Sequence, residues 1–442
     1  MPPSRLQGCI HAVSRATVPA PDDPHLSEQA KHEPRVMITD YFRFLLAHPG
    51  RLAFGILATL GSGFGQTYFI GLYNAEIRGA FDLSHGDIGG LYALATIASA
   101  LLLPVVTPLY DRWGLRAFAL LATGLLAAGA LAMAGAAGIA GLLGALFLLR
   151  LGGQGLMGHM GITTMARSFA ASRGKATSVA AMGFPLAEGT LPALAVGVAA
   201  MVAWREAWLV WAGLTLAVIT PLLLILARQH EGGPVEVAGP PPGSQRDWRR
   251  SEVVRDVRFL LLIPAGVAAP FAVTVLFFHQ VPLAELRGWS EAMLAAGLSV
   301  FAVGHVTGLF LAGPTVDRFG AGRVLPPALI PLALAGLALA LITPSWGILV
   351  WSGLLGVGLA FGATAAGALW AELYGVTHLG AIRGLFQALA VFATAIGPVT
   401  TGWLLDAGLG PFGLGLGLAA GIGLAAGLAA LGLRRSVGTA AG

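Results

Sequence analysis

Apolar residues run through this chain in long blocks separated by short polar or glycine-containing breaks. A helix needs about 20 apolar residues to cross a bilayer. Blocks of that size lie near 51–75, 86–109, 116–137, 140–166, 174–199, 204–227, 258–282, 290–313, 323–343, 346–370, 381–404 and 410–433. The pattern predicts an all-α polytopic membrane protein of twelve spans joined mostly by short loops. The exception is 228–257, a Pro/Gly-rich linker followed by a charged, helix-forming stretch. It divides the chain into a six-span bundle over 41–227 and another over 258–435, with tails at 1–40 and 436–442.

Composition agrees. Of 442 residues, 56% are hydrophobic and only 11% charged, against about a quarter charged in soluble proteins, and the mean hydropathy is +0.78. The 63 glycines suit helices packed closely in lipid, where small residues let backbones approach. The single cysteine, Cys9, excludes a disulfide framework. Residues 1–40 are polar, carry no apolar run resembling a secretory signal, and are expected to form a disordered cytoplasmic tail. Met37, just before the amphipathic Tyr41-Phe42-Arg43-Phe44, is the expected true start.

Charge decides orientation. With the N-terminus inside, the cytoplasmic segments carry 22 of the 26 lysines and arginines, the external loops hold Arg78, Arg205 and Arg287, and Arg150 alone lies within a span. Basic residues accumulate on the cytoplasmic side, so both ends are expected inside. The pI of 9.8 is then a topology signal, and nucleic acid is not an expected partner.

The halves repeat. Ser84 opens the second span, with Asp111-Arg112-Trp-Gly114 27 residues on, and Ser290 opens the eighth, with Asp317-Arg318-Phe-Gly320 27 residues on. One offset of 206 relates both pairs, and it also relates Gly174 to Gly380. Parallel six-helix repeats mark a large class of secondary transporters.

On these residues the chain resembles the major facilitator superfamily over roughly 41–435. Thr107-Pro-Leu-Tyr-Asp111-Arg112-Trp-Gly114-Leu-Arg116 is similar to that family's G-x-x-x-D-R-x-G-R-R signature, and Gly313-Pro-Thr-Val-Asp317-Arg318-Phe-Gly320-Ala-Gly-Arg323 matches it better. The resemblance implies that these loops gate the cytoplasmic side, with the Asp near a helix N-terminus, where a carboxylate is favoured, and the Arg bridging helix ends. Arg173-Gly174-Lys175-Ala176 and Trp204-Arg205 are further likenesses, and Leu83-Ser84-x-x-x-Ile88-Gly89 resembles the monocarboxylate and oxalate/formate branch. Spans 8 and 11 lack the cationic residues of that branch. Glu372 and Arg383 flank the loop between spans 10 and 11 and are expected to form a gate pair.

Ionisable groups inside spans are functional candidates by default. Here they are Arg150, His159, Glu188, His279 and His305. Arg150-Leu-Gly-Gly-Gln154-Gly155 resembles the family's fourth-span R-x-x-Q-G with one extra residue. On an ideal helix Arg150, Gln154, Met157, Gly158 and Gly161 share a face, with His159 opposite among glycines. The resemblance turns Arg150 toward the central cavity, and His159 is expected to pack. Glu188 follows Gly183-Phe-Pro185-Leu-Ala, similar to the antiporter motif but without its Gly-Pro pair, and Pro185 should bend that helix. Arg150 and Glu188 lie about 25 and 22 Å from the inner boundary at about 1.5 Å per residue, so an intramembrane pair, direct or through Gln154, is expected. It can be a switch or a static tie. His305 has no evident partner. Gln66 and Tyr68 on the first span are cavity-lining candidates, and the 206 offset aligns Tyr73-Asn74 with His279-Gln280 at a polar substrate entrance or as interfacial anchors.

No G-x-x-x-x-G-K-[ST] segment supports a pump, and no metal-spaced or nucleophile–base grouping supports an enzyme. No cofactor is expected. The reading is a secondary active transporter, monomeric, in a bacterial cytoplasmic membrane, moving a small anionic or polar solute with protons as the coupling ion. A hydrophobic drug exporter or a non-transporting sensor of the same fold are the alternatives.

Overall fold

The computed structural model describes residues 43–169, 173–230, 248–374 and 379–438, with no strand among them. The expected tail with Cys9 and Met37, residues 231–247 of the linker, and the side chains of Asp111, Arg173, Lys175, Asp317 and Arg383 lie outside the described residues. The segment ending at Pro49 is a unit by itself; within it residues 43–47 are helical and the Phe44 and His48 rings meet edge-on at 5.6 Å.

From Gly50 onward the chain is one compact unit. Its first half contains α1 (Pro49–Gly61), α2 (Thr67–Gly71), α3 (Asn74–Phe81), α4 (His85–Val106), α5 (Leu109–Gly135), α6 (Ile139–Leu149), α7 (Gly158–Ser168), α8 (Arg173–Ala181), α9 (Gly183–Ala199), α10 (Trp204–Leu214) and α11 (Thr220–Ala227). The second contains α12 (Arg250–Val253), α13 (Val257–Phe278), α14 (Gln280–Arg287), α15 (Glu291–Phe319), α16 (Ala321–Ala328), α17 (Ile330–Leu341), α18 (Gly347–Tyr374), α19 (Leu379–Asp406) and α20 (Pro411–Gly438). Eleven stretches among the described residues are long and apolar enough to span a membrane. The expected span at 51–75 is not one of them. Glycine and serine in Gly61-Ser-Gly-Phe-Gly break it into α1, a 3₁₀ turn at Ser62–Gly65 and α2, with Gln66 extended between.

The 206 offset recurs in the backbone itself. Ser84 and Ser290 both cap the following helix with their side chains, satisfying an otherwise orphaned amide. Asp82 and Gly288 close the preceding helices in the left-handed region. Tyr73 (φ −98, ψ 11) and His279 (φ −104, ψ 19) interrupt the first helices of the two halves at the same point.

The glycine of each D-R-x-G loop has a positive φ, 79° at Gly114 and 81° at Gly320, with ψ of 171° and 145°. That region is open essentially to glycine alone, so the motif glycine is dictated by the turn. Gly114→Ala and Gly320→Ala are each expected to cost about 1–3 kcal/mol. Thermal unfolding in detergent checks this against Gly124→Ala, which lies in the same helix as Gly114 with open space around it and should not melt early.

Two of the arginines that depart from the charge bias have local tasks. Arg205 donates to the carbonyls of Ala134 and Ala136 at the end of α5, and Arg287 to those of Leu339 and Ala340 at the end of α17. A cation suits a helix C-terminus with its unpaired carbonyls.

Candidate functional site

Residues Arg150–Met157 are not α-helical but form a π-helix between α6 and α7. A π-turn absorbs one inserted residue within an otherwise continuous helix. That is the physical meaning of the extra residue between Arg150 and Gln154. The glycines of this segment let three helices touch it. A Cβ at Gly152 would stand 2.5 Å from the Leu126 amide nitrogen in α5, one at Gly153 2.6 Å from Gly65 Cα at the first-span break, and one at Gly155 2.8 Å from Leu103 of α4.

Arg150 is only 2% exposed. Its Nε donates to Thr96 Oγ1 (3.1 Å) and its Nη1 to the Gly65 carbonyl (3.0 Å), and the guanidinium lies 4.9 Å from the centre of the Tyr92 ring. Tyr92 in turn shares a 2.6 Å hydrogen bond with Thr67. The arginine thus ties the π-helix between α6 and α7 to the 3₁₀ break between α1 and α2 and to the middle of α4. The wide turn also rotates the helix beyond it: His159, expected to pack among glycines, is exposed and within hydrogen-bond reach of Thr163.

The expected Arg150–Glu188 pair is not formed. Glu188 Oε2 instead meets His305 Nδ1 at 2.9 Å, with both side chains 12% exposed. Equal depth along two helices does not make them face each other, and α9 turns Glu188 toward α15. There Ser299 donates to the Gly189 carbonyl (3.2 Å), and a Cβ at Gly189 would stand 3.1 Å from Ala302. The helix is interrupted at Met182, three residues before Pro185, which lacks the donor to continue it. Tyr68 is buried with no hydrogen-bond partner for its hydroxyl, and Gln154 Oε1 is likewise buried and unpartnered among the described residues. Gln66 is half-buried.

Tyr73, Asn74, His279 and Gln280 lie not at an open entrance but in a closed seam between the halves, each at most 3% exposed. Asn74 Nδ2 donates to the Phe278 carbonyl (3.0 Å) and Gln280 Nε2 to the Tyr68 carbonyl (2.8 Å), a reciprocal clasp of the two first helices. Tyr73 accepts from Trp211 Nε1 (2.8 Å), and His279 Nε2 donates to the Pro398 carbonyl (2.8 Å). Nearby, Asp406 at the end of α19 accepts from the His85 (2.9 Å) and Gly86 (2.7 Å) amides at the start of α4, while His85 contacts Arg78. Sequence reasoning missed Asp406 because its partner is a backbone terminus in the other half. A carboxylate at a helix N-terminus contributes about 1 kcal/mol, so Asp406→Ala is expected to shift the closed-to-open ratio of this end about fivefold. Double electron–electron resonance between spin labels on α3 and α14 reads that ratio.

Glu76 on α3 borders the same seam. Glu76 is exposed, yet the protein around its carboxyl raises it above the usual range, its own backbone hydrogen bond opposes this, and the Glu291 and Glu285 carboxylates of the other half raise it further. A carboxyl whose pKa rises on closure takes up a proton on closing. Closure is therefore fully favoured below the usual carboxyl range and weakens as pH rises from there through the raised value.

The profile of the Major Facilitator Superfamily matches residues 55–304 and 280–440. The chain belongs to that superfamily. Its fold is also similar to that of a bacterial homolog of the human lysosomal transporter Spinster, in inward-facing unoccupied (18% identity, TM-score 0.60) and occupied (17%, 0.62) conformations, covering 87% of this chain and 97% and 96% of those. The nucleoside transporter NupG superposes over 87% of this chain and 98% of its own at 12% identity and a TM-score of 0.62. No curated protein matches the sequence significantly. A facilitator fold on eleven apolar helices marks an integral membrane protein and a transporter of small solutes rather than an enzyme.

At the D-R-x-G end of this facilitator, the carboxylate found at a helix N-terminus is that of Glu372. It accepts from the Ala321 (2.8 Å) and Gly322 (3.3 Å) amides that open α16. Arg318 lies 5.3 Å from the Phe319 ring, and Arg112, Arg116 and Arg323 are exposed. The 206 offset pairs Glu372 with Ala166, so the aligned position in the first half carries no carboxylate.

Proposed function

We propose that this facilitator is a secondary active transporter of twelve spans, both ends cytoplasmic, moving a small anionic or polar organic solute by alternating access with protons as the coupling ion. The observation that carries the reading is the clustering of inter-half ties between mid-helix and the end bearing Asp82 and Gly288, from Glu188–His305 to Asp406–Gly86. By the charge bias that end is external, which supports an inward-facing conformation, the state in which the similar Spinster homolog was solved. Arg150 supports an anionic solute: it is the only arginine far from the ends of the expected spans, and its described partners are a carbonyl, a hydroxyl and a ring, none of which cancels its charge. The residues proposed along the solute and proton path are Arg150, Gln154, Gln66, Tyr68 and Glu188, with Tyr73, Asn74, His279 and Gln280 sealing the outer end. Asp111, Arg112, Gly114, Arg116, Asp317, Arg318, Gly320, Arg323, Glu372 and Arg383 are assigned to the inner gate.

Proteoliposomes test this with radiolabelled uridine and a set of small monocarboxylates, under an inward proton gradient. Accumulation several-fold above protein-free vesicles, collapsed by a protonophore, is the expected result for one solute class. Saturable binding without flux would favour the sensor.

A further inference from the structure

We propose that Glu188 and His305 are the coupling proton's binding site, and that occupancy of this pair by one proton is what holds the two halves together at mid-depth. The inference rests on the proposed transport function and assigns its proton site to a pair that neither half contains alone.

The repeat supplies an internal control. The offset of 206 pairs Glu188 with Thr394 and His305 with Ser99. The seam between α9 and α15, which holds Glu188 and His305, is therefore the twin of the seam between α4 and α19. At that twin, Ser99 donates to its own helix at the Thr96 carbonyl (2.9 Å) and Thr394 to the Val391 carbonyl (2.7 Å). Neither hydroxyl bridges the halves, yet that seam closes tightly: a Cβ at Gly89 would lie 2.6 Å from the Pro398 carbonyl oxygen. At mid-depth the fold thus closes such a seam by backbone contact alone, the only described carboxylate across it being Asp406, which caps the α4 amides at the outer end. A carboxylate and an imidazole at the other one, where burying charge is costly, call for a task beyond packing.

The surroundings isolate the pair. Among the described residues, α2 brings the Tyr68 hydroxyl, which lies beside Gly63 and Ala187 against the same turn of α9. α18 meets His305 through Gly356 and brings no charge there, and the described contacts of Arg150 are with Thr96, Gly65 and Tyr92, not with this pair. Arg78, His85, His279, Asp406, Glu76 and Glu285 sit at or near the outer rim on other elements, and Glu291 opens α15 itself, 14 residues before His305.

With one proton, on His305 Nδ1, the pair is a carboxylate accepting from an imidazolium and is neutral overall. Loss of the proton to water leaves a net negative charge in a poorly hydrated seam; gain of a second leaves a net positive one. Either state buries a charge without its counter-charge, whereas the singly protonated pair is neutral, so closure selects the singly protonated pair. When the halves part at the outer end, both groups meet external water and exchange that proton. Once the inner side opens, the proton can leave to internal water. No other bond changes.

The test uses the full chain with Cys9→Ser, in nanodiscs, spin-labelled through Ala80→Cys and Leu286→Cys, in a Glu76→Gln background that removes the rim carboxyl. Double electron–electron resonance reads the closed fraction from acid to alkaline pH. The expected profile is a bell, and Glu188→Gln or His305→Gln should flatten it and lower the closed-to-open ratio at its maximum about tenfold, the worth of a charge-assisted hydrogen bond. The exchanged double variant, Glu188→His with His305→Glu, should restore the bell. A bell unchanged in both single variants overturns the proposal, as does a swap that closes no better than either single variant. Because no solute is needed, failure here is distinct from failure of the flux assay.

Discussion

Gly65→Ala is expected to lower the stability of the whole first half by about 3 kcal/mol, the upper end of what overpacking a tight interior costs. The reason is what the added methyl meets. It would overlap the Leu149 carbonyl oxygen and stand 2.8 Å from Gly153 Cα and 3.1 Å from the Gln154 amide nitrogen. All three are backbone atoms, so no side chain can swing aside, and the break in the first span must lift off the π-helix. Lifting also stretches the bond from Arg150 to the Gly65 carbonyl. Gly153→Ala meets the same obstacle from the other side, and the double variant should cost less than the sum because the two share one gap. Gly144→Ala is the control: nothing lies within 4 Å of its Cβ position, and alanine favours a helix by about 1 kcal/mol over glycine. If Gly65→Ala and Gly144→Ala melted together in detergent, the close approach of the two backbones would be wrong.

Arg150→Met should behave in the opposite way, with stability held and function lost. Removing the guanidinium leaves the Gly65 carbonyl without that donor and Thr96 Oγ1 without its bond, at about 1–3 kcal/mol for each buried group left unsatisfied. Against this stands relief from burying a charge that no described carboxylate neutralises, itself worth several kcal/mol. The two nearly cancel, so the melting point should move by only a few degrees, while solute flux should fall at least about 100-fold, some 2.7 kcal/mol of lost solute interaction. Arg150→Lys keeps the charge but not the two-pronged donor geometry, and should retain partial flux. A large melting-point loss in Arg150→Met with flux proportional to the folded fraction would reduce the arginine to a structural tie.

How much of this was legible in the sequence depends on what each feature needs. The 206 register was readable because it is written in residues with strict backbone duties. Serine caps a helix and glycine alone accepts the φ found at positions 114 and 320. The π-helix left a trace as well, the extra residue before Gln154, but a regular helical wheel cannot show the phase change it causes, and so misplaced His159. Pairing by depth failed for Arg150 and Glu188 because rise along a helix fixes height and not azimuth. Azimuth here is set by which glycine faces which neighbour, as with Gly189 against Ala302 and Gly153 against Gly65. A usable signal for His305 was nonetheless present. The same offset sets Glu188 and His305 against Thr394 and Ser99, and a repeat that diverges from hydroxyl to titratable group at two facing positions points to a pair. The clasp through Asn74 and Gln280 was visible as an aligned dipeptide, but its partners are main-chain carbonyls, which carry no sequence identity.

The interrupted first span also bears on how the protein is made. A nascent segment enters the bilayer readily when its own backbone groups are all paired, and 51–75 does not meet that condition alone. The Gly65 carbonyl at its break is satisfied by Arg150, 85 residues later in the chain. Until the ribosome has delivered the fourth span, the first has neither its donor nor the glycine surface it rests on. On that footing the 51–75 segment is expected to settle in the bilayer only after residues near Arg150 have been made. Chains arrested before Arg150 should leave 51–75 accessible to water-soluble cysteine reagents that no longer reach it in the finished protein.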